Sequence, residues 1–295
     1  MAVRQWPMAA KLGAVLLTPL AAVVLSVALR PSEPDRPGRP AEPVIGECWQ
    51  GQGLHVVLVA EMTPSEQVDC DVPHQLETVA VGRLRNDLAR RGASPQRSEL
   101  TSEFAGCGRT AEEYLGADWR TQHTSLLLFA PSAEQWRTGA RWYRCDVLVL
   151  GGDIDSVHVR QGSVHGDLAG HGPSSDLVLG CAVEFVADGV WAGVQRVSCN
   201  EPHDMEFVGV AESAAPGFPD TAAALDAAFG GGCRDRARVY MAMSVDLMRQ
   251  RDVTVGVLPT GEPSTWAGGD RSARCWVFLR HKVNSSVRGL GDVPA

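Results

Sequence analysis

Lysine is almost missing from this chain: of 27 basic residues only Lys11 and Lys282 are lysines. Arginine carries nearly all the positive charge, and with abundant Ala, Gly and Val this bias points to a GC-rich genome, not to an activity. No Cys-x-x-Cys pair, phosphate-binding glycine loop, dinucleotide fingerprint or His-Glu-x-x-His stretch occurs anywhere. The usual signatures of nucleotide, redox-dithiol and metalloprotease chemistry are therefore absent. A basic surplus is lacking too. Residues 1–40 hold five basic and two acidic residues, which leaves 22 basic against 33 acidic in the rest. A domain this acidic excludes nucleic acid as a partner and disfavours an anionic lipid surface.

What is present begins at the amino terminus. Residues 12–29, LGAVLLTPLAAVVLSVAL, carry no charge and lie between Lys11 and Arg30. Eighteen residues at helical rise reach across a bilayer core of roughly 30 Å. Residues 1–30 therefore read as a single-pass membrane anchor. The alternative is a secretory signal cleaved near Ser26-Val27-Ala28, which would leave a secreted protein. Residues 31–43 hold five prolines with mixed charge and read as an extended spacer. All eight cysteines follow the apolar segment, an even number at wide spacing, as expected of disulfides in an oxidising, extracytoplasmic compartment.

The chain then repeats itself. The octet Cys-x-x-Pro-His-x-x-Glu occurs at Cys70, Pro73, His74 and Glu77, and again at Cys199, Pro202, His203 and Glu206. Cys48, Cys70, Cys107 and Cys145 align with Cys181, Cys199, Cys233 and Cys275 at offsets of 133, 129, 126 and 130. Tyr114 and Tyr240 each lie seven after a cysteine, Trp136 and Trp266 nine before one, and GSVHG at 162–166 answers SSVRG at 285–289. These coincidences divide the chain into repeat 1 (44–167), a joint (168–176), repeat 2 (177–290) and a tail (291–295).

Each repeat reads as β-β-α-β-β. Strands are expected at 54–60 and 191–198 and after each octet (75–84, 204–213). Helices follow over 100–119 and 221–243, then strands at 125–132 with 141–150 and at 253–260 with 274–281. The fold expected is α+β: two tandem homologous lobes, each a mainly antiparallel sheet with a covering helix, disulfide-stapled, after an N-terminal transmembrane helix. Four cysteines allow three pairings per lobe. The favoured set is Cys48–Cys70 with Cys107–Cys145, and Cys181–Cys199 with Cys233–Cys275.

A Gly-x-Cys start, the octet, a later helix cysteine, a Trp-x-x-Gly-x-Arg…Cys ending and a closing Gly-Ser-x-x-Gly together resemble the septum-formation domain of actinobacteria, in two tandem copies. The second copy departs in small ways, with Gly180 directly before Cys181 and Ser285 in place of the closing motif's first glycine. The resemblance implies a cell-division setting at the envelope and brings no catalytic residues.

The octet admits three readings. As a metal site, Cys70, His74 and Glu77 would each offer a ligand, but no second close Cys or His accompanies them. As a partner surface it would be exposed. As structure, the proline fixes a turn, the histidine bonds a backbone carbonyl and the glutamate pairs with an arginine. Residues three apart in a strand face opposite sides, so His74 and Glu77 are not expected to share a ligand. Ser163, two residues before His165, forms no nucleophilic dyad with it, because the second copy replaces the histidine with Arg288 and no acid partner accompanies the pair. His158, His165 and His171 cluster near the joint without a specific ligand pattern. Asn284-Ser285-Ser286 matches a glycosylation sequon. Trp136 and Trp266 are core residues or platforms for a cell-wall glycan. The expectation is a non-enzymatic envelope binding or scaffolding protein without cofactor or metal, its partners the membrane through 12–29 and an envelope protein or glycan. An envelope hydrolase or metal-binding protein using the two octets is the alternative.

Overall fold

The computed structural model describes residues 41–295 apart from 52–63, 97–98, 152–156, 170–176, 188–189, 262, 268 and 292–295. The apolar segment 12–29 and the strand expected at 54–60 lie outside the described residues. Among those described, no helix is long and apolar enough to cross a membrane.

The first half runs β1 (Cys48–Gly51), β2 (Pro64–Val68), β3 (Leu76–Arg83), α1 (Asn86–Ala89), α2 (Thr101–Leu115), a 3-10 turn at Trp119–Thr121, β4 (Thr124–Phe129), α3 (Ala133–Arg137) and β5 (Trp142–Val149). Its strands form one antiparallel sheet in the order β2-β1-β3-β5-β4. The second half runs β6 (Cys181–Ala187), β7 (Val190–Val197), β8 (His203–Glu212), α4 (Ala222–Leu225), a π turn at Asp226–Gly230, α5 (Gly231–Met241), α6 (Val245–Gln250), β9 (Thr254–Pro259), α7 (Pro263–Ala267) and β10 (Ser272–Val283). Its sheet has the order β7-β6-β8-β10-β9, the same arrangement position for position. The architecture is α+β, two antiparallel sheets with helices and four disulfides.

Helix α2 shows why this arrangement forms. Phe104, Cys107, Ala111 and Leu115 are buried and recur at three- and four-residue spacing, so one stripe faces the sheet. The helix ends at Gly116, whose φ of 89° is the left-handed conformation that glycine takes at little cost. A Cβ there would also lie 2.8 Å from the backbone nitrogen of Ala169. The disulfides join Cys48 to Cys70, Cys107 to Cys145, Cys181 to Cys199 and Cys233 to Cys275. The second and fourth tie helices α2 and α5 to β5 and β10.

The structure corrects the expected element order in two places. Each sheet has five strands, because a strand carrying the first cysteine of each half (β1, β6) precedes the other four. The helical stretch 221–243 is broken by the π turn at Asp226–Gly230, beside the glycine run 230–232.

The described residues form one compact unit. Arg274 on β10 joins the halves: its Nε donates to the carbonyl of Arg120 at 2.9 Å, and its Nη2 to those of Gln122 and Thr124 at 2.8 and 2.7 Å. Arg120 in turn bonds Asp118 and Glu212. The backbone N–H of His123 donates to Leu177 at 2.7 Å.

Candidate functional site

Each octet leads the chain into the central strand of its sheet. In β1–β3 pairing Cys48 lies opposite Glu77, and in β6–β8 pairing Cys181 lies opposite Glu206. The first cysteine of each half and the octet glutamate are thus cross-strand neighbours, and the disulfide carries the strand lead-in to the same spot.

Both glutamates are buried, Glu77 at 1% exposure and Glu206 at 0%. A buried carboxylate needs hydrogen-bond donors, and each finds them far away in sequence. Glu77 Oε1 accepts from the hydroxyl of Tyr114 at 2.6 Å and from that of Ser163, and Oε2 accepts from the backbone N–H of Val164 at 2.7 Å. Glu206 Oε2 accepts from Tyr240 at 2.7 Å and Ser286 at 2.8 Å, and Oε1 from the N–H of Val287 at 2.7 Å. The helix tyrosine, the closing-motif serine and the octet glutamate therefore close one knot in each half. Among the described residues no arginine pairs with either glutamate, in contrast to the pairing expected from the sequence.

The histidines hold the turns. His74 Nδ1 donates to the carbonyl of Val72 at 2.8 Å, and His203 Nδ1 to that of Glu201 at 2.7 Å. The other ring nitrogens differ. His203 Nε2 lies 3.0 Å from Glu206 Oε1, within hydrogen-bond distance. His74 Nε2 is buried and has no hydrogen-bond partner among the described residues. The expectation that residues three apart would diverge fails here for a structural reason. His203 pairs with Val283 where regular register from the Met205–Phe278 pair would not place it, so alternation is broken at the strand's first residue. His74 lies before β3 altogether, in an isolated bridge to Arg160.

One sulfur, nitrogen and oxygen from Cys48, His74 and Glu77 lie within 4.8 Å of one another, as do those of Cys181, His203 and Glu206. The sulfur involved is that of each half's first cysteine, not the octet's own. A thiolate is the form of cysteine that ligates a metal, and both sulfurs are bound in disulfides. The two carboxylates also already accept several donors each.

The remaining candidates divide. Ser163 Oγ accepts from the backbone N–H of His165 at 3.0 Å, and the His165 ring meets Tyr114 edge-on, 4.6 Å between centroids. Arg288, at the same place in the second half, lies 5.2 Å over the ring of Tyr240. His171 lies outside the described residues. Trp136 and Trp266 are each 3% exposed. Trp136 donates to the carbonyl of Arg91 under the guanidinium of Arg141, and Trp266 packs against Phe218 and Phe229. Neither ring turns a face to solvent. In the sequence, Tyr114, Tyr240 and Ser286 stand out only as register marks, and Ser163 only as a nucleophile candidate that fails. Their recurrence in both repeats was the signal that they share a site.

Neither comparison, with curated proteins or with solved structures, returns a match. The family described as Septum formation matches residues 47–275, a single span running through both sheets and covering more than half of the chain. The chain belongs to the septum-formation family.

Proposed function

We propose that this protein is a non-enzymatic binding or scaffolding component of the cell envelope, acting in septum formation in an actinobacterium. It is held at the membrane by residues 12–29, with repeats 44–167 and 177–290 outside the cytoplasm. The observation that carries this reading is the pair of buried knots. In each half the serine and the tyrosine most suited to chemistry are committed to a buried glutamate, and in the second half the buried histidine is bonded to it as well. What remains for function is the outer surface of a rigid, disulfide-held body. Four disulfides also support an oxidising compartment.

The convergence of Cys, His and Glu donor atoms within 4.8 Å favours metal binding as the second reading. One experiment separates them. A tagged chain expressed from its own locus is crosslinked in intact cells, recovered, and assayed for co-purifying envelope components, zinc and free thiols. The scaffold reading expects a reproducible envelope partner, enrichment at the division septum, no free thiol and only trace metal. About one zinc per repeat, with reactive thiols, would overturn it in favour of a metal-binding protein.

A further inference from the structure

The lead-ins to the two sheets differ by one residue: Gly46 stands two before Cys48, whereas Gly180 stands directly before Cys181. Hydrogen bonds fix the correspondence. The N–H of Thr78 donates to the carbonyl of Glu47 at 2.8 Å and that of Phe207 to Gly180 at 2.9 Å, so Glu47 matches Gly180 and Gly46 matches Leu179. Gly46 has a φ of 89°, and its N–H donates to the Thr78 carbonyl at 2.8 Å. It lies against the first knot: a Cβ there would be 3.6 Å from Tyr114 Oη, and its carbonyl oxygen is 3.3 Å from Cys70 Sγ. A leucine does not readily take that left-handed backbone. Leu179 is instead buried with Ala182, Val194, Met205 and Trp276, while Val178 forms a backbone bridge to Gln122. Among the described residues no hydrogen bond joins the Leu179 N–H to Phe207. The chain that covers the first knot is drawn away from the second.

This detour borders a cavity of about 1200 Å³, with Gln122, Arg196, Tyr240 and Arg288 in its lining. Gln122 is 7% exposed, and its Oε1 is buried with no hydrogen-bond partner among the described residues. An orphaned amide oxygen calls for an N–H or O–H donor. Arg288 is exposed, lies 5.2 Å over the Tyr240 ring and meets no carboxylate among the described residues. Against the two arginines the lining sets one acid, Glu201, whose Oε2 already accepts the N–H of Ser198 at 2.9 Å. Val197, Phe207 and Val208 supply an apolar stretch of wall.

We propose that this cavity binds an acylated amino acid or short peptide that ends in a free carboxylate. The carboxylate meets the guanidinium of Arg288, with Arg196 adding positive charge. An amide N–H of the ligand meets Gln122 Oε1, and its apolar side chains face Val197, Phe207 and Val208. Cavities that hold drug-sized ligands measure about 300–1,000 Å³, so an extended peptide of several residues fits here. The inference names a ligand class for the binding reading above and rests on that reading for the ligand's source in the envelope.

Titration calorimetry of the full, disulfide-intact chain with acetyl-Ala-Ala-Ala, as free acid and as amide, tests it. The free acid should bind in equimolar ratio, and the amide about tenfold or more weaker. Arg288→Gln, at a place where the first half has His165, should weaken the free acid by a similar factor. Gln122→Met removes the amide oxygen at nearly constant volume and should weaken both forms. Circular dichroism checks that the variants stay folded. Peptides ending in L-alanine stand for a protein tail and those ending in D-alanine for a cell-wall peptide, and the tighter of the two assigns the source. No binding of either acid, equal binding of acid and amide, or an unchanged affinity in Arg288→Gln overturns the proposal. The crosslinking in cells is read separately. A chain that recovers an envelope partner but binds no peptide loses this site alone, and one that binds the peptide but recovers no partner loses the scaffold reading alone.

Discussion

Tyr114 and Tyr240 show how single residues carry the duplicated design. Each hydroxyl sits over a buried glutamate, and each ring is covered from outside by a different side chain, His165 in one half and Arg288 in the other. Burial, with the hydrogen bond to the glutamate, pushes both phenols up to about 12. An unfolded tyrosine titrates near 10. Between pH 10 and 12 the unfolded chain releases protons that the folded chain retains, so stability falls as pH rises through that window. We expect the alkaline unfolding limb to flatten in Tyr114→Phe and Tyr240→Phe, measured as denaturant midpoint against pH. An unchanged limb would mean that the phenols do not titrate with unfolding. At this scale the octet and its recurrence were legible in the sequence. Its partners were not, because Val164 reaches Glu77 across 87 residues and Val287 reaches Glu206 across 81. No local pattern encodes such a closure, and only the parallel repetition of Tyr and Ser hinted at it.

Among the elements, the helix–sheet staples carry the most weight. Cys107–Cys145 and Cys233–Cys275 span 38 and 42 residues, so each contributes about 4 kcal/mol in the chain-entropy model. Helix α5 depends on its staple most, since the π turn interrupts the helical run before it. Replacing Cys233 and Cys275 together by Ser should lower unfolding stability by about 3–4 kcal/mol in a urea titration. A loss below about 1 kcal/mol would show that packing alone holds the helix. The long apolar strands and α2 could be read from periodicity because each buries a whole face. β1 could not. It has four residues, of which only Cys48 is fully buried, too few for alternation to show. The broken register at His203 was hidden for a similar reason, since alternation predicts only the interior of a strand and not its first residue.

At the scale of the molecule, two sheets of identical strand order are locked by Arg274, and the family match spans both. The repeated octet supplies each half with a buried carboxylate that bonds the helix tyrosine and the closing loop. Glu77→Gln and Glu206→Gln test this most directly, because the amide keeps the size but turns a donor toward groups that already donate. The measurement is thermal and denaturant unfolding of each variant, read beside its localisation in cells. Both should lose roughly 1–3 kcal/mol of stability, and localisation should fail only as far as folding does. A variant that unfolds like the native chain yet no longer localises would make the glutamate a functional residue and contradict the account.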